Sequence, residues 1–249
     1  MKGIEGKPYI DCQQFIDMQI LQDLELEICS GIALSSPKAG VYGPGIKDSH
    51  KFNNFLQLKN KMSRDLKEEY RWNMMTHDQQ NVFAKLYLGL YNPSTVVYLK
   101  EPTAGCDPIA AYLKKGNADY FDWTPNSQHF PNLVNWLKSL IGPIFESYGR
   151  VLFFIHEHDC KLLIHRDGLS YAPHNTEFLW LNPGSTKKFF IYDENGDNKH
   201  YVDTSAAFFN DLDMHGGDPT EYASWSLRID GRFSADFKKN LGINHLSYY

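Results

Sequence analysis

The 249-residue chain has no apolar run approaching the roughly 18 residues needed to span a bilayer, and its start, Met-Lys-Gly-Ile-Glu-Gly-Lys-Pro, holds no apolar leader core. Its four cysteines, Cys12, Cys29, Cys106 and Cys160, are scattered and form no Cys-x-x-Cys pair. That excludes a zinc knuckle and offers no disulfide framework, as in a reducing compartment. Basic residues never run more than two together, and 25 Lys and Arg stand against 30 Asp and Glu, for a net charge of −5. A chain with that balance does not advertise nucleic acid or an anionic membrane surface as its partner. Neither a Gly-x-Ser-x-Gly hydrolase elbow nor a Gly-Lys-Ser/Thr phosphate loop occurs. These absences predict a soluble, cytoplasmic protein.

What is present suits a packed core with broad sheet faces: 42% of residues are hydrophobic and 14% aromatic. Phe15–Ile28 carries apolar residues at helical spacing, although a strand near Leu24–Ile32 fits as well, and Ala39–Gly45, with three glycines and a proline, reads as a loop. Residues 51–92 read as amphipathic helices, Thr95–Leu99 as a strand, and 101–131 as irregular surface structure. Pro131–Tyr148 reads as a helix that Pro143 ends or kinks. From Arg150 the texture changes to short strands: Val151–His156, Leu162–Asp167, Glu177–Leu181, Lys188–Tyr192, His200–Val202, Ala206–Leu212 and Tyr222–Phe233. Asn195-Gly196 is a strong hairpin signal. Spacing of about ten residues with turn residues between predicts an antiparallel sandwich or barrel. The organisation expected is one folded unit over 1–249, with a mainly helical part (1–149), a β core (150–235) and a C-terminal tail (236–249).

The informative stretch is Lys161–Gly168, Lys-Leu-Leu-Ile-His-Arg-Asp-Gly. If Leu162–Ile164 begin a strand, alternation puts His165 and Asp167 on one face. An imidazole and a carboxylate side by side are two thirds of a 2-His-1-carboxylate Fe(II) site. On its own the tripeptide ordinarily means a surface ion pair. Asp211–Gly217 adds weight, because it sets His215 at the end of an apolar strand before two glycines, where a barrel can return it to His165 and Asp167. The last strand, Ser224–Arg232, then carries Ser226, Arg228 and Arg232 at alternating positions. His156 and His158 are a second alternating pair without a fitting third ligand and read as strand-end polar residues; His174 reads as a loop histidine. Trp180, Asn182 and Tyr192 lie where a barrel wall would be and read as core or turn residues. His165-Arg166-Asp167 is also the tripeptide of the protein-kinase catalytic loop, but the metal-binding Asn required five positions on is Ala172.

The order His-x-Asp, hairpin region, distal His, basic residue resembles the Fe(II)/2-oxoglutarate-dependent oxygenases over about Val151–Phe233. That resemblance implies a double-stranded β-helix, a jelly roll like that of the cupins, in a mainly β or α+β chain with N-terminal buttressing helices. It implies His165, Asp167 and His215 as iron ligands and Arg228 as the anchor of the distal 2-oxoglutarate carboxylate, with Ser226 donating to it. Arg228 follows His215 by 13 positions, later than in many members of that family. Arg232, about 13 Å further along an extended strand, is the reserve, and Lys187 or Lys188 on the neighbouring hairpin a third option. The activity implied couples decarboxylation of 2-oxoglutarate to succinate with O2-dependent oxidation, most simply hydroxylation, of a protein side chain or small metabolite, ascorbate being supportive. The competing expectation is a non-catalytic cupin-like barrel that binds a sugar or other small ligand. In it His165 and Asp167 are pocket polar groups and His215 is unrelated to them.

Overall fold

The structure, a computed structural model, describes residues 3–35, 38–39, 95–106, 116–156, 162–165, 177–183, 187–193 and 198–243. Among these, the strands in the N-terminal part are β1 (Tyr9–Asp11), β2 (Lys38–Ala39), β3 (Thr95–Pro102) and β4 (Phe121–Trp123). They are followed by β5 (Phe145–His156), β6 (Leu162–His165), β7 (Glu177–Leu181), β8 (Lys188–Tyr192), β9 (Lys199–Tyr201), β10 (Ala206–Phe209), β11 (His215–Asp218) and β12 (Ser224–Phe233). The described α-helices are α1 (Met18–Asp23), α2 (Glu25–Leu34), α3 (Pro131–Ser139) and α4 (Ala235–Asn240). None of the described helices is long and apolar enough to cross a membrane.

From β5 onward the chain passes back and forth between two antiparallel sheets. One sheet contains the order β10-β7-β12-β5 and the other the order β6-β11-β8-β9. This is an antiparallel barrel, as the short-strand texture predicts, with the double-stranded β-helix arrangement that the resemblance implies. The larger sheet is eight-stranded because β1 pairs with β10, β3 with β5, and β2 and β4 with β3. The N-terminal half therefore supplies strands as well as helices. Most of its expected helical region, 51–92, lies outside the described residues.

Period-two alternation divides the large sheet into two faces. The outer face carries Phe153, whose ring packs 5.4 Å from that of Phe130. A Cβ at Gly31 of α2 would come within 2.5 Å of that same ring, so the helix needs glycine there to lie close. Glu27 of α2 accepts hydrogen bonds from the Asn132 side chain (2.8 Å) and the Leu133 N–H (2.9 Å), placing a carboxylate at the N-terminus of α3. The helices thus buttress the outside of the barrel, and Phe15–Ile28 is resolved in favour of helix.

Several strand ends differ from the sequence reading by a few residues, and two boundaries change an element. α3 ends at Ser139, Gly142 takes φ +96°, and the chain past Pro143 is already extended at Phe145. Phe145 and Tyr148 are strand residues whose rings pack 5.9 Å apart, so β5 runs unbroken across residue 150. The stretch expected as a tail begins with α4, capped by Ser234 and docked through Phe237 onto Phe233 (4.9 Å) and Phe15 (5.4 Å).

Candidate metal and carboxylate site

The inner face of the barrel carries the polar residues. β11 pairs with β6 so that His215 lies directly across from His165. The two histidines, 50 positions apart in sequence, are thus cross-strand partners. Asp167 lies outside the described residues. Among the described residues, no group of three or more His, Cys, Asp or Glu is placed to hold a metal.

His215 is buried and its ring packs between those of Phe189 (5.5 Å) and Phe209 (5.7 Å). Its Nδ1 lies 2.8 Å from the Asp213 carbonyl oxygen. A carbonyl only accepts, so Nδ1 carries the proton and the ring lone pair is on Nε2, the nitrogen a metal would take. Gly216 and Gly217 both lie within β11 and make no turn after His215. Gly216 is small because a Cβ there would meet Phe190 Cζ at 2.9 Å. Gly217 faces inward, where its Cβ would lie 3.8 Å from Lys187 Cε.

Arg228 does point inward, as alternation predicts. It is spoken for: Nε donates to Asp230 Oδ1 at 2.6 Å and a terminal nitrogen donates to Asp211 Oδ2 at 2.7 Å. The guanidinium also stacks 3.9 Å from the Phe178 ring centre. Asp230 accepts from Arg150 Nε at 2.5 Å as well, and this attraction keeps the Arg150 guanidinium protonated despite its burial. Two guanidinium groups and two carboxylates therefore meet inside the barrel. Arg232 does not share the face: the register shifts between Ile229 and Gly231, and the Arg232 side chain is 69% exposed, 3.9 Å from Glu146.

Lys187, just before β8, has the opposite surroundings. It is buried, and among the described residues no carboxylate pairs with it. Its Nζ lies 2.6 Å from His156 Nε2 and within 6 Å of the ring centres of Phe154 (5.8 Å) and Phe189 (5.7 Å). Burial pushes the Lys187 amine down to about 7, and burial together with Lys187 pushes the His156 imidazole down to about 2. His156 is thus neutral, with Nε2 accepting from the amine.

The strand register puts further polar groups on this wall. Ser224 is the direct partner of His156, and Ser226 of Phe154. Asn182 continues the inward alternation of β7 two positions after Trp180 and donates through Nδ2 to the Lys187 carbonyl at 3.3 Å. Three buried atoms on these residues, Asn182 Oδ1, Ser224 Oγ and Ser226 Oγ, have no hydrogen-bond partner. Buried polar atoms without partners are rare and point to a missing ligand or water. Trp180 and Tyr192 are core residues, Trp180 packing 5.1 Å from Phe189 and Tyr192 5.3 Å from Phe190. His158 and His174 lie outside the described residues.

Sequence reading found Ser226 and offered Lys187 only as a third option; it passed over His156 as a strand-end residue. The signal available was its position, inward by alternation at the end of an apolar run.

No family model matches the chain, and no curated protein matches it in sequence. Similar solved structures include a prolyl-4-hydroxylase from Pseudomonas putida, at 9% identity over 92% of this chain and 94% of that one, with a TM-score of 0.43. Another is an oxidoreductase of the 2OG-Fe(II) oxygenase family from Burkholderia pseudomallei, at 13% identity, 72% and 88% coverage and a TM-score of 0.35. A third is the viral collagen prolyl hydroxylase of Paramecium Bursaria Chlorella virus-1 in its 2OG complex, at 9% identity, 92% and 98% coverage and a TM-score of 0.37. The chemistry proposed below rests on this chain's own residues.

Proposed function

We propose that the protein is an Fe(II)- and 2-oxoglutarate-dependent oxygenase in which His165, Asp167 and His215 hold the metal and Lys187 holds the distal carboxylate of 2-oxoglutarate. The observation that carries the reading is the pairing of two features inside one barrel. His215 is a direct cross-strand partner of His165, and a buried lysine without a described carboxylate shares the inner wall with residues that carry three unpartnered polar atoms. Bound Fe(II) would supply the redox chemistry, activating O2 so that 2-oxoglutarate is decarboxylated and the substrate oxidised.

The chain's own residues supply position. The Asp213 carbonyl fixes the His215 tautomer, and the rings of Phe189 and Phe209 hold its plane. Lys187 offers a charge-assisted hydrogen bond to a carboxylate oxygen in a site from which water is largely excluded. Ser226, and with it Ser224, has a hydroxyl that can donate to the same oxygens. Arg228, first in line as anchor by sequence, is in this reading a structural residue, because Asp211 and Asp230 already balance its charge.

The test is metal binding followed by turnover. Mn(II), read by electron paramagnetic resonance, binds the protein and is weakened more than about a hundredfold in His215→Ala, beyond what an outer partner of a ligand carries. With Fe(II) and ascorbate the protein forms succinate from 2-oxoglutarate. A barrel that binds a small ligand without oxidising it would bind 2-oxoglutarate equally well in His215→Ala and form no succinate. That result replaces the oxygenase reading.

A further inference from the structure

The arrangement of Lys187 suggests more than an anchor. Its amine lies 2.6 Å from Nε2 of the neutral imidazole of His156 and 5.8 and 5.7 Å from the ring centres of Phe154 and Phe189, on the wall whose strands also carry Ser224 and Ser226 and beside Asn182, which bonds the Lys187 carbonyl. Charged groups on the surrounding strands are engaged elsewhere. On β12, Arg228 and Asp230 pair with each other. On β11, Asp218 binds Lys199 and Tyr201 on the opposite face, and His215 is turned to the Asp213 carbonyl. On β7, Glu177 bonds the Phe233 N–H and Lys238 at the far end of the strand. On β5, Arg150 pairs with Asp230. A buried ammonium with no counter-ion costs several kcal/mol and sheds its proton instead.

We propose that Lys187 and His156 form a proton-coupled anchor: without an anion the amine rests neutral against His156 Nε2, and it takes up one proton from solvent as a ligand carboxylate enters. The step balances, since one proton passes from solvent to Lys187 Nζ and the new ammonium faces one new carboxylate. His156 is a positioning residue. It accepts one N–H of the amine in either state, leaving the remaining donors for the ligand. The low pKa of the amine, about 7, agrees with this geometry. The identity of the ligand, 2-oxoglutarate, rests on the oxygenase reading; the proton uptake does not depend on turnover.

The experiment is calorimetric titration of the Mn(II)-loaded full chain with 2-oxoglutarate in buffers of different ionisation enthalpy. At pH 8 close to one proton is taken up per ligand, falling toward none near pH 6. The dissociation constant weakens by up to about tenfold per pH unit above 7. Lys187→Arg keeps a charge that does not titrate, so uptake disappears and affinity becomes independent of pH. Should the arginine not be accommodated, Lys187→Met, followed by its melting transition, abolishes uptake and weakens binding at least about tenfold. His156→Gln retains an acceptor and binds within about threefold of the parent, whereas His156→Leu loses about tenfold. Binding without proton uptake between pH 6.5 and 8.5 overturns the inference and leaves the oxygenase reading standing, as does uptake that survives in Lys187→Arg. No binding of 2-oxoglutarate, with Mn(II) or without it, overturns both.

Discussion

Arg228 and Lys187 are two basic side chains buried on the inner wall of one barrel, 4% and 6% exposed, and they differ in their charge partners. Arg228 has Asp211 and Asp230 within 2.7 Å, whereas Lys187 has an imidazole at 2.6 Å and no described carboxylate. Both have also packed against aromatic faces. A buried charge neutralised by its own chain is part of the framework, because removing it strands the partners. A buried amine with no counter-ion gives up its proton and regains it only when an anion binds. The distinction assigns structure to one residue and ligand recognition to the other, and it can be broken by experiment.

The largest effect is expected at Arg228. Arg228→Met leaves Asp211 without its ion pair inside the barrel and lowers stability by about 3–5 kcal/mol, measured by urea unfolding. The matching Lys187→Met change removes a buried amine that has no described counter-ion and leaves the ligand-free protein as stable as the parent or more so near neutral pH. If the two costs came out equal, the contrast between the residues would be lost.

A smaller effect sharpens the same contrast by pH. The Lys187 pKa in the folded chain, about 7, lies below its ordinary value of 10.5. Between these values the unfolded chain binds more protons than the folded one, so stability rises with pH. The burden is present in full below about pH 7 and is relieved as pH climbs toward 10.5. Stability of the parent relative to Lys187→Met should therefore increase from pH 7 to 9 by at most about 1.4 kcal/mol per unit. A flat difference would place the charge of Lys187 elsewhere.

The smallest effect is expected at the N-terminal turn. The Gly3 N–H donates to Asp213 Oδ2 at 2.7 Å, and the carbonyl of the same Asp213 holds His215. Gly3 has φ +62°, and a Cβ there would meet the Lys7 carbonyl oxygen at 2.3 Å. Gly3→Ala should cost about 1–2 kcal/mol and weaken Mn(II) a few-fold, while Arg228 and Lys187 keep their surroundings.

Much of the barrel was legible in the sequence because its strands are short, apolar and separated by turn residues. Glu177–Leu181 and Lys188–Tyr192 match their strands residue for residue. Phe145–Tyr148 misled because Phe145 and Tyr148 are spaced as helical core residues, and only the backbone reversal at Gly142 shows that the helix has already ended. Alternation placed Arg228 on the correct face but carries no information about charge partners, and Asp211 reaches it from another strand's end. Arg232 left that face because alternation fails where the register shifts. The Lys187–His156 contact joins residues 31 positions apart, each with a plausible bland role in its own segment. Position in sequence could locate His215 and not its tautomer, which a carbonyl two residues away decides.

The placement of β12 has a consequence for how the protein is made. This strand lies between β5 and β7, pairing with β5 from Ser224 to Phe233 and with β7 from Leu227 to Gly231, yet it is among the last segments of the described chain to be synthesised. Until residues 224–233 leave the ribosome, β5 and β7 each present an unpaired inner edge, and the wall carrying Ser224, Ser226 and Arg228 does not exist. The large sheet therefore closes only once residues 224–233 are made, around its own middle strand, with β1, β3 and β10 synthesised before it. Chains stopped short of residue 224 should be open-edged and prone to associate.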